Sequence, residues 1–143
     1  MNAYLPTPMS IVEARLELPS VFTFTFAPAG GFGFQPGQFN MLYVHGVGEV
    51  PISISGDPAQ PERLVHTIRA VGTVTKAMQP LAAGDMLGVR GPYGNPWPIE
   101  EVRGRDVVFI AGGLGLAPLR PAILQVLARR SEYGAVTILY GAR

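Results

Sequence analysis

Apolar and polar residues alternate along most of the first hundred positions. Val12, Ala14, Leu16 and Leu18 interleave with Glu13, Arg15 and Glu17, the period of two that predicts a strand half-buried on one face. Phe22, Phe24 and Phe26 interleave with Thr23 and Thr25 in the same way. A Gly/Pro-rich break over residues 28–37 separates these from an apolar run at residues 39–44. Further strands are predicted over residues 50–55, 64–70 and 86–90, with Gly56, Asp57 and Pro58 turning the chain between the first two. One interruption is helical in character: it runs from Thr75 through Gln79 to Leu81 and stops at Gly84 and Asp85. Six short strands at roughly 10–15 residue spacing predict a small barrel or sandwich rather than an open parallel sheet. Closure would also remove the edge strands that a Phe/Thr-rich β-protein must protect.

The pattern changes near Gly104. Residues 107–111, after Asp106, form a β-branched and aromatic run without alternation, which predicts a strand buried on both faces. A glycine turn follows, then helical spacing over residues 118–130 with Leu119, Ile123, Val126 and Leu127 on one side. Gly134 is expected to stop this helix, and residues 135–140 read as a second buried strand. The result is one β-α-β unit of about 36 residues. A doubly wound dinucleotide domain needs two βαβαβ halves. Residues 1–102 are therefore read as a mainly β domain, and residues 103–143 as an incomplete α/β segment, truncated or completed by a partner. Two parallel strands and one helix cannot cover both sheet faces, so either an exposed apolar patch or self-association through it is expected.

Charge narrows the partners. The net charge of +1 and the scattered 11 Lys and Arg residues leave no electrostatic footprint for nucleic acid. The one basic pair, Arg129 and Arg130, falls in the expected last helical turn, where it complements the helix dipole as a solvated end. The absence of cysteine excludes disulfides, thiolate-bound zinc, a cysteine nucleophile and an iron–sulfur cluster ligated by this chain. His45 and His66 are too few and too far apart in sequence to suggest a metal, so no metal ligands are assigned. Residues 1–10 carry neither a basic nor an apolar signal region, and no uncharged apolar stretch approaches the ~20 residues of a membrane span. A cytoplasmic location is the expectation.

Five short stretches carry candidate chemistry, and each has a plain reading beside the functional one. Pro36-Gly37 within residues 34–39 suits the centre of a type II turn. Residues 49–55, with Pro51, suit an edge strand. From Arg69 to Lys76 a strand passes through Gly72 into a helix that begins with Thr73, Val74 and Thr75. That is an ordinary Thr-capped start, or a place where backbone N–H groups and hydroxyls meet a phosphate. Gly91-Pro92-Tyr93-Gly94 is the fourth. The fifth is Gly112-Gly113-Leu114-Gly115, ending at Pro118, with a buried strand before it and a helix after it. In that context glycines let backbone approach a pyrophosphate.

The order and spacing of these five stretches resemble the ferredoxin–NADP⁺ reductase superfamily across almost the whole chain. Within it, residues 46–55 are most similar to the gamma-type FAD/NAD(P)-binding flavoprotein subunits of cytoplasmic NiFe-hydrogenases, relatives of the dihydroorotate dehydrogenase electron-transfer subunit. The resemblance implies a six-stranded antiparallel FAD-binding barrel, and electron transfer between NAD(P)H and a redox partner subunit, a hydrogenase or iron–sulfur protein. It implies an FAD-gripping motif at residues 50–53. There Val50 stands where the family has arginine, Ile52 where it has tyrosine, and Ser53 where it has the serine near flavin N5. Ser53 is thus the implied catalytic residue. Pro51, Ile52, His66, Thr67, Ile68, Arg69, Gly72, Thr73, Val74 and Thr75 would line FAD, and Gly112, Gly113, Leu114, Gly115 and Pro118 the nicotinamide nucleotide. Arg143 does not decide between NAD and NADP. The alternative is a non-catalytic barrel that docks to a partner subunit, its flavin site degraded at Val50 and Ile52.

Overall fold

Phe22, Phe24 and Phe26 form the centre of the molecule because their strand is paired along both edges. In the computed structural model, which describes residues 4–142, β1 (Thr7–Leu18) and β5 (Leu64–Arg69) flank β2 (Val21–Phe26), both antiparallel. β3 (Phe39–Val44), β4 (Gly48–Ser53) and β6 (Met86–Tyr93) complete a six-stranded antiparallel sheet of order β4-β3-β6-β1-β2-β5. Among the described residues the two ends of the sheet are joined at the bridge Ile54↔His66, just past β4, which closes the sheet into a barrel with a seam between β4 and β5. The interior is filled by Ile11, the three phenylalanines, Leu42, Ile54, Leu64, Ile68 and Met78. Burying each phenylalanine contributes about 2–3 kcal/mol, so β2 anchors the barrel.

The helix α1 (Thr73–Met78) leaves β5 through Gly72. Thr75 starts it: its hydroxyl accepts from the backbone N–H of Val71 and of Gly72, each at 3.0 Å, and lies 3.1 Å from the carbonyl of Gly72. Past the barrel, β7 (Val107–Gly112) and β8 (Val136–Gly141) pair in parallel, with α2 (Leu116–Ala128) crossing between them. Ile99, Phe109, Ala122, Ile123, Val126 and Tyr133 form a second, smaller core.

The architecture is the one expected, and several local readings change. β1 exists, but Val12, Leu16 and Leu18 are exposed rather than half-buried. Residues 7–10 pair with β6 and residues 11–18 with β2 alone, so the later half of β1 overhangs the core. Thr23 and Thr25 are buried like the phenylalanines, because β1 and β5 flank β2 on both edges, and Glu17 and Thr67 bond to the Thr23 hydroxyl. α2 begins at Leu116, after a turn of 3₁₀ helix at Gly113–Gly115, so Pro118 is its third residue rather than its first. Leu127 points to solvent while Ala117, Pro121 and Ala122 join the packed side.

Arg129 and Arg130 fall after the helix, and Arg129 is not simply solvated. It pairs with Glu100 at 2.6 Å and Glu132 at 2.7 Å, tying the segment before β7 to the one before β8. Burial on both faces of β7 and β8 is not observed. Phe109 and Ala111 face α2, while Val108 (57%), Ile110 (71%) and Leu139 (53%) are exposed on the opposite face. β7 is apolar on both sides and α2 covers one, whereas in β8 Ile138 and Tyr140, on the same side as Phe109 and Ala111, are exposed as well.

Candidate functional site

Thr23 and Thr25 line the floor of a cleft of about 1220 Å³ between the outer face of β1, β2 and β5 and the turn that leads from β7 into α2. Strand alternation puts the residues there. His66 and Ile68 point into the barrel core, so Thr67 and Arg69 point outward. Across from them stand Gly112, Gly113 and Leu114. Gly113 has φ +50°, a left-handed value that glycine adopts without strain, and a Cβ there would lie 3.9 Å from Arg69 Nη2.

A row of oxygen atoms lines the barrel side. Thr23 donates to Glu17 Oε1 at 2.8 Å, Thr23 and Thr67 hydroxyls are 3.1 Å apart, and Thr67 and Ser55 hydroxyls are 3.0 Å apart. From the other side, Arg120 Nη1 donates to the backbone carbonyl of Ser55 at 2.6 Å. The lining carries four arginines against three acids. Arg15 pairs with Glu17 and Arg63 with Glu13, while Asp57 accepts from the backbone of Ala59 within its own turn. Arg69 and Arg120 have no ion-pair partner among the described residues. Two guanidinium groups without counter-ions beside a glycine turn suit an anionic ligand, since bonds to charged groups are worth about 1.5–3 kcal/mol each.

The other expected residues lie elsewhere. Pro51, Ile52 and Ser53 sit at the seam and do not line the cleft. Register places Ser53 opposite Phe39 and Pro51 opposite Met41 on the outer face, whereas Val50 and Ile52 lean on the barrel core. Gly72 and Thr73 are exposed, and Val74 packs near Gly48. The Thr75 hydroxyl is occupied by the helix start described above. Ile68 is a core residue. Gly115 is exposed, and the carbonyl of Pro118 accepts from the Trp97 indole at 3.4 Å. Arg143 lies outside the described residues.

His66 is fully buried and not exposed at any surface. Its Nδ1 is 3.0 Å from the carbonyl of Ser53, which can only accept, so Nδ1 carries the proton. Nε2 then accepts from Asn40 Nδ2 at 3.1 Å. Burial pushes this imidazole down to about 4, against the opposing effect of the Ser53 carbonyl, so it is neutral at neutral pH. Asn40 Oδ1 is buried without a hydrogen-bond partner, at a cost of about 1–3 kcal/mol.

Sequence reasoning named Thr67 but missed Arg120, Asn40, Glu17 and the other two hydroxyls of the row, Thr23 and Ser55. Arg120 follows the glycine motif closely, but nothing in the sequence links it to Ser55, 65 positions away. Among the described residues no helix is long and apolar enough to cross a membrane. No group of three or more His, Cys, Asp or Glu there could hold a metal ion.

No family model matches the chain. It is 43% identical over 135 residues to sulfhydrogenase 1 subunit gamma of Pyrococcus furiosus, covering 92% of this chain and 46% of that one. It is 39% identical over 133 residues to a probable dihydroorotate dehydrogenase B (NAD(+)) electron transfer subunit of Methanocella arvoryzae, covering 93% and 47%. The solved structure of an NADH-dependent reduced ferredoxin-NADP oxidoreductase superposes with a TM-score of 0.80 at 27% identity, over 94% of this chain and 48% of that one. The chain spans about half the length of the curated relatives it matches. It is a homologue of the sulfhydrogenase gamma and dihydroorotate dehydrogenase electron-transfer subunits, built on a ferredoxin–NADP⁺ reductase-like fold.

Proposed function

We infer that this chain is the flavin-bearing part of an FAD-dependent NAD(P)H oxidoreductase, passing electrons between a nicotinamide nucleotide and a redox partner subunit, in a hydrogenase-type assembly. The observation that carries this reading is Arg69, a guanidinium with no ion-pair partner among the described residues, facing Gly113 across the cleft. A barrel made only for docking has no need of an unpaired charge opposite a glycine turn.

The residues present fit FAD and a nicotinamide nucleotide on physical grounds. Along the seam, β4 is paired on one side only, by β3, and touches β5 at one bridge. Its outer edge therefore leaves backbone N–H and C=O groups for the polar rim of a flat heteroaromatic ring. Pro51 and Ile52 would supply aliphatic contact, and the hydroxyl of Ser53 a bond near the redox-active nitrogen. Backbone at Gly72 and Thr73, beside Val74 and Thr75, would border the FAD phosphates, with Arg69 supplying the charge that Val50 does not. Gly112, Gly113, Leu114 and Gly115 would let the nicotinamide nucleotide approach closely, and Arg120 would add charge from α2. FAD, when bound, supplies exchange between two-electron hydride chemistry and single-electron transfer. The protein's own task is then positioning and exclusion of water.

Partner subunits in a cytoplasmic assembly, hydrogenase or iron–sulfur, belong to the same reading, as does association of the exposed face of β7 and β8 with another surface. A second reading, a non-catalytic docking barrel, draws on Val50 and Ile52, which lean on the barrel core and offer neither charge nor ring. One measurement separates the two. Absorbance between about 300 and 600 nm, followed by chromatography of heat-released cofactor, is expected to show flavin bands and FAD. A colourless protein that takes up no added FAD would put the docking barrel first.

A further inference from the structure

We propose that His66 is a positioning residue for the flavin site, acting from inside the barrel through the backbone of Ser53. The proposal rests on the reading above, and it concerns a residue that the sequence places along the flavin but the structure turns away from any surface.

The geometry is a buried polar line across the mouth of the barrel. Asn40 on β3 donates to His66 on β5 at 3.1 Å, and His66 donates to the carbonyl of Ser53, the last residue of β4, at 3.0 Å. Just beyond, Ile54 and His66 form the one isolated bridge among the described residues. The end of β4 is thus held to β5 by that bridge, by the imidazole and, just past Ile54, by Ser55, whose N–H donates to the carbonyl of Val65 at 2.9 Å and whose hydroxyl lies 3.0 Å from that of Thr67. Ser53 shows its side chain on the outer face, opposite Phe39, so moving its carbonyl moves its hydroxyl.

Stability alone does not account for this line. Asn40 Oδ1 has no hydrogen-bond partner, although the surrounding core is aliphatic and aromatic. An apolar pair of similar volume would avoid that orphaned acceptor. On its far side Asn40 Oδ1 occupies room that Gly91 leaves and that any Cβ would fill. A buried polar pair held at a cost, packed tightly at Gly91 and bonded at its other end to one backbone carbonyl sets the position of that carbonyl.

The test uses this chain loaded with FAD. Three readouts apply: affinity by quenching of flavin fluorescence, the midpoint potential of bound flavin, and the thermal midpoint. His66→Asn keeps an N–H donor in the place of Nδ1, whereas His66→Gln and His66→Leu do not. We expect His66→Asn to bind FAD as the unsubstituted chain does, and His66→Gln to weaken binding about tenfold and shift the midpoint potential. Should His66→Leu fail to fold, the Asn and Gln pair still decides. Equal affinity and equal potential for Asn and Gln, whatever their thermal midpoints, would overturn the proposal and leave His66 a structural residue. Failure of the unsubstituted chain to take up FAD would instead sink the functional reading first, and this proposal with it.

Discussion

Arg120 reaches from α2 across the cleft to the backbone carbonyl of Ser55, 2.6 Å away, and so joins the α/β segment to the loop that closes the barrel. Ser55 is itself buried and bonded through its hydroxyl to Thr67. The contact therefore ends on a rigid part of the barrel. With Trp97 and Pro118, it helps to set how far the glycine turn stands from β5.

Arg120→Ala is expected to loosen that junction. A charged donor to a carbonyl is worth about 1.5–3 kcal/mol when sheltered, and solvent exposure here reduces it to about 1 kcal/mol. Hydrogen exchange should speed up in residues 107–112 and 116–128 while the β2 amides stay protected. Unchanged exchange in those segments would show that other contacts hold the junction.

Arg69→Ala should separate binding from stability. Arg69 has no ion-pair partner among the described residues, so its loss leaves no buried charge behind, and the thermal midpoint should hold to within about 0.5 kcal/mol of stability. Affinity for a nucleotide ligand, read by titration calorimetry, should fall about tenfold. A variant that binds as well as the original would remove Arg69 from the site.

Acid should weaken the fold before the carboxylates begin to titrate. The His66 pKa is about 4 in the folded chain and about 6.5 when unfolded. Between those values the unfolded chain binds the proton and the folded chain does not. Stability is therefore full above about pH 6.5 and declines by about 1.4 kcal/mol per pH unit towards pH 4. Glu49, whose carboxyl the bond from Arg90 holds below the usual range, acts only at lower pH. Urea melts at several pH values should show this slope, and His66→Asn should flatten it between about pH 6 and 5.

Gly91→Ala tests the packing behind Asn40. Gly91 has φ +147°, and an added Cβ would run into Asn40 Oδ1 and lie 3.2 Å from the carbonyl of Phe39. Overpacking and backbone strain together should cost about 2–4 kcal/mol, visible as a lower thermal midpoint. A loss below about 0.5 kcal/mol would mean that Asn40 can give way.

Ile110→Asp probes the open face of the α/β segment. Ile110 is 71% exposed, so the change should leave the fold intact. If that face drives association, sedimentation should show the original chain self-associating with concentration and the variant monomeric.

Alternation in residues 12–26, the apolar run at 39–44, turn residues at Gly56, Asp57 and Pro58, and the order of the glycine motifs with the family resemblance they carry were enough to determine the six strands, the barrel and the β-α-β segment after it. These features depend on residue type and local spacing, which the chain carries in itself. Tertiary structure alone decided which faces are wet. Leu16 alternates as a core residue should, yet it is exposed because β1 changes partners and overhangs the core. Thr23 alternates as a solvent residue should, yet Glu17 and Thr67 on the flanking strands bond to its hydroxyl and bury it. Residues 107–111 are apolar on both sides, but only one side has a cover. His66 belongs by its position in the sequence to a ligand contact, and the pleat of β5 turned it inward to Asn40 and Ser53. Arg120 and Ser55 meet although 65 positions separate them. Burial and long-range pairing depend on what other segments bring to the same place, and no local pattern contains that.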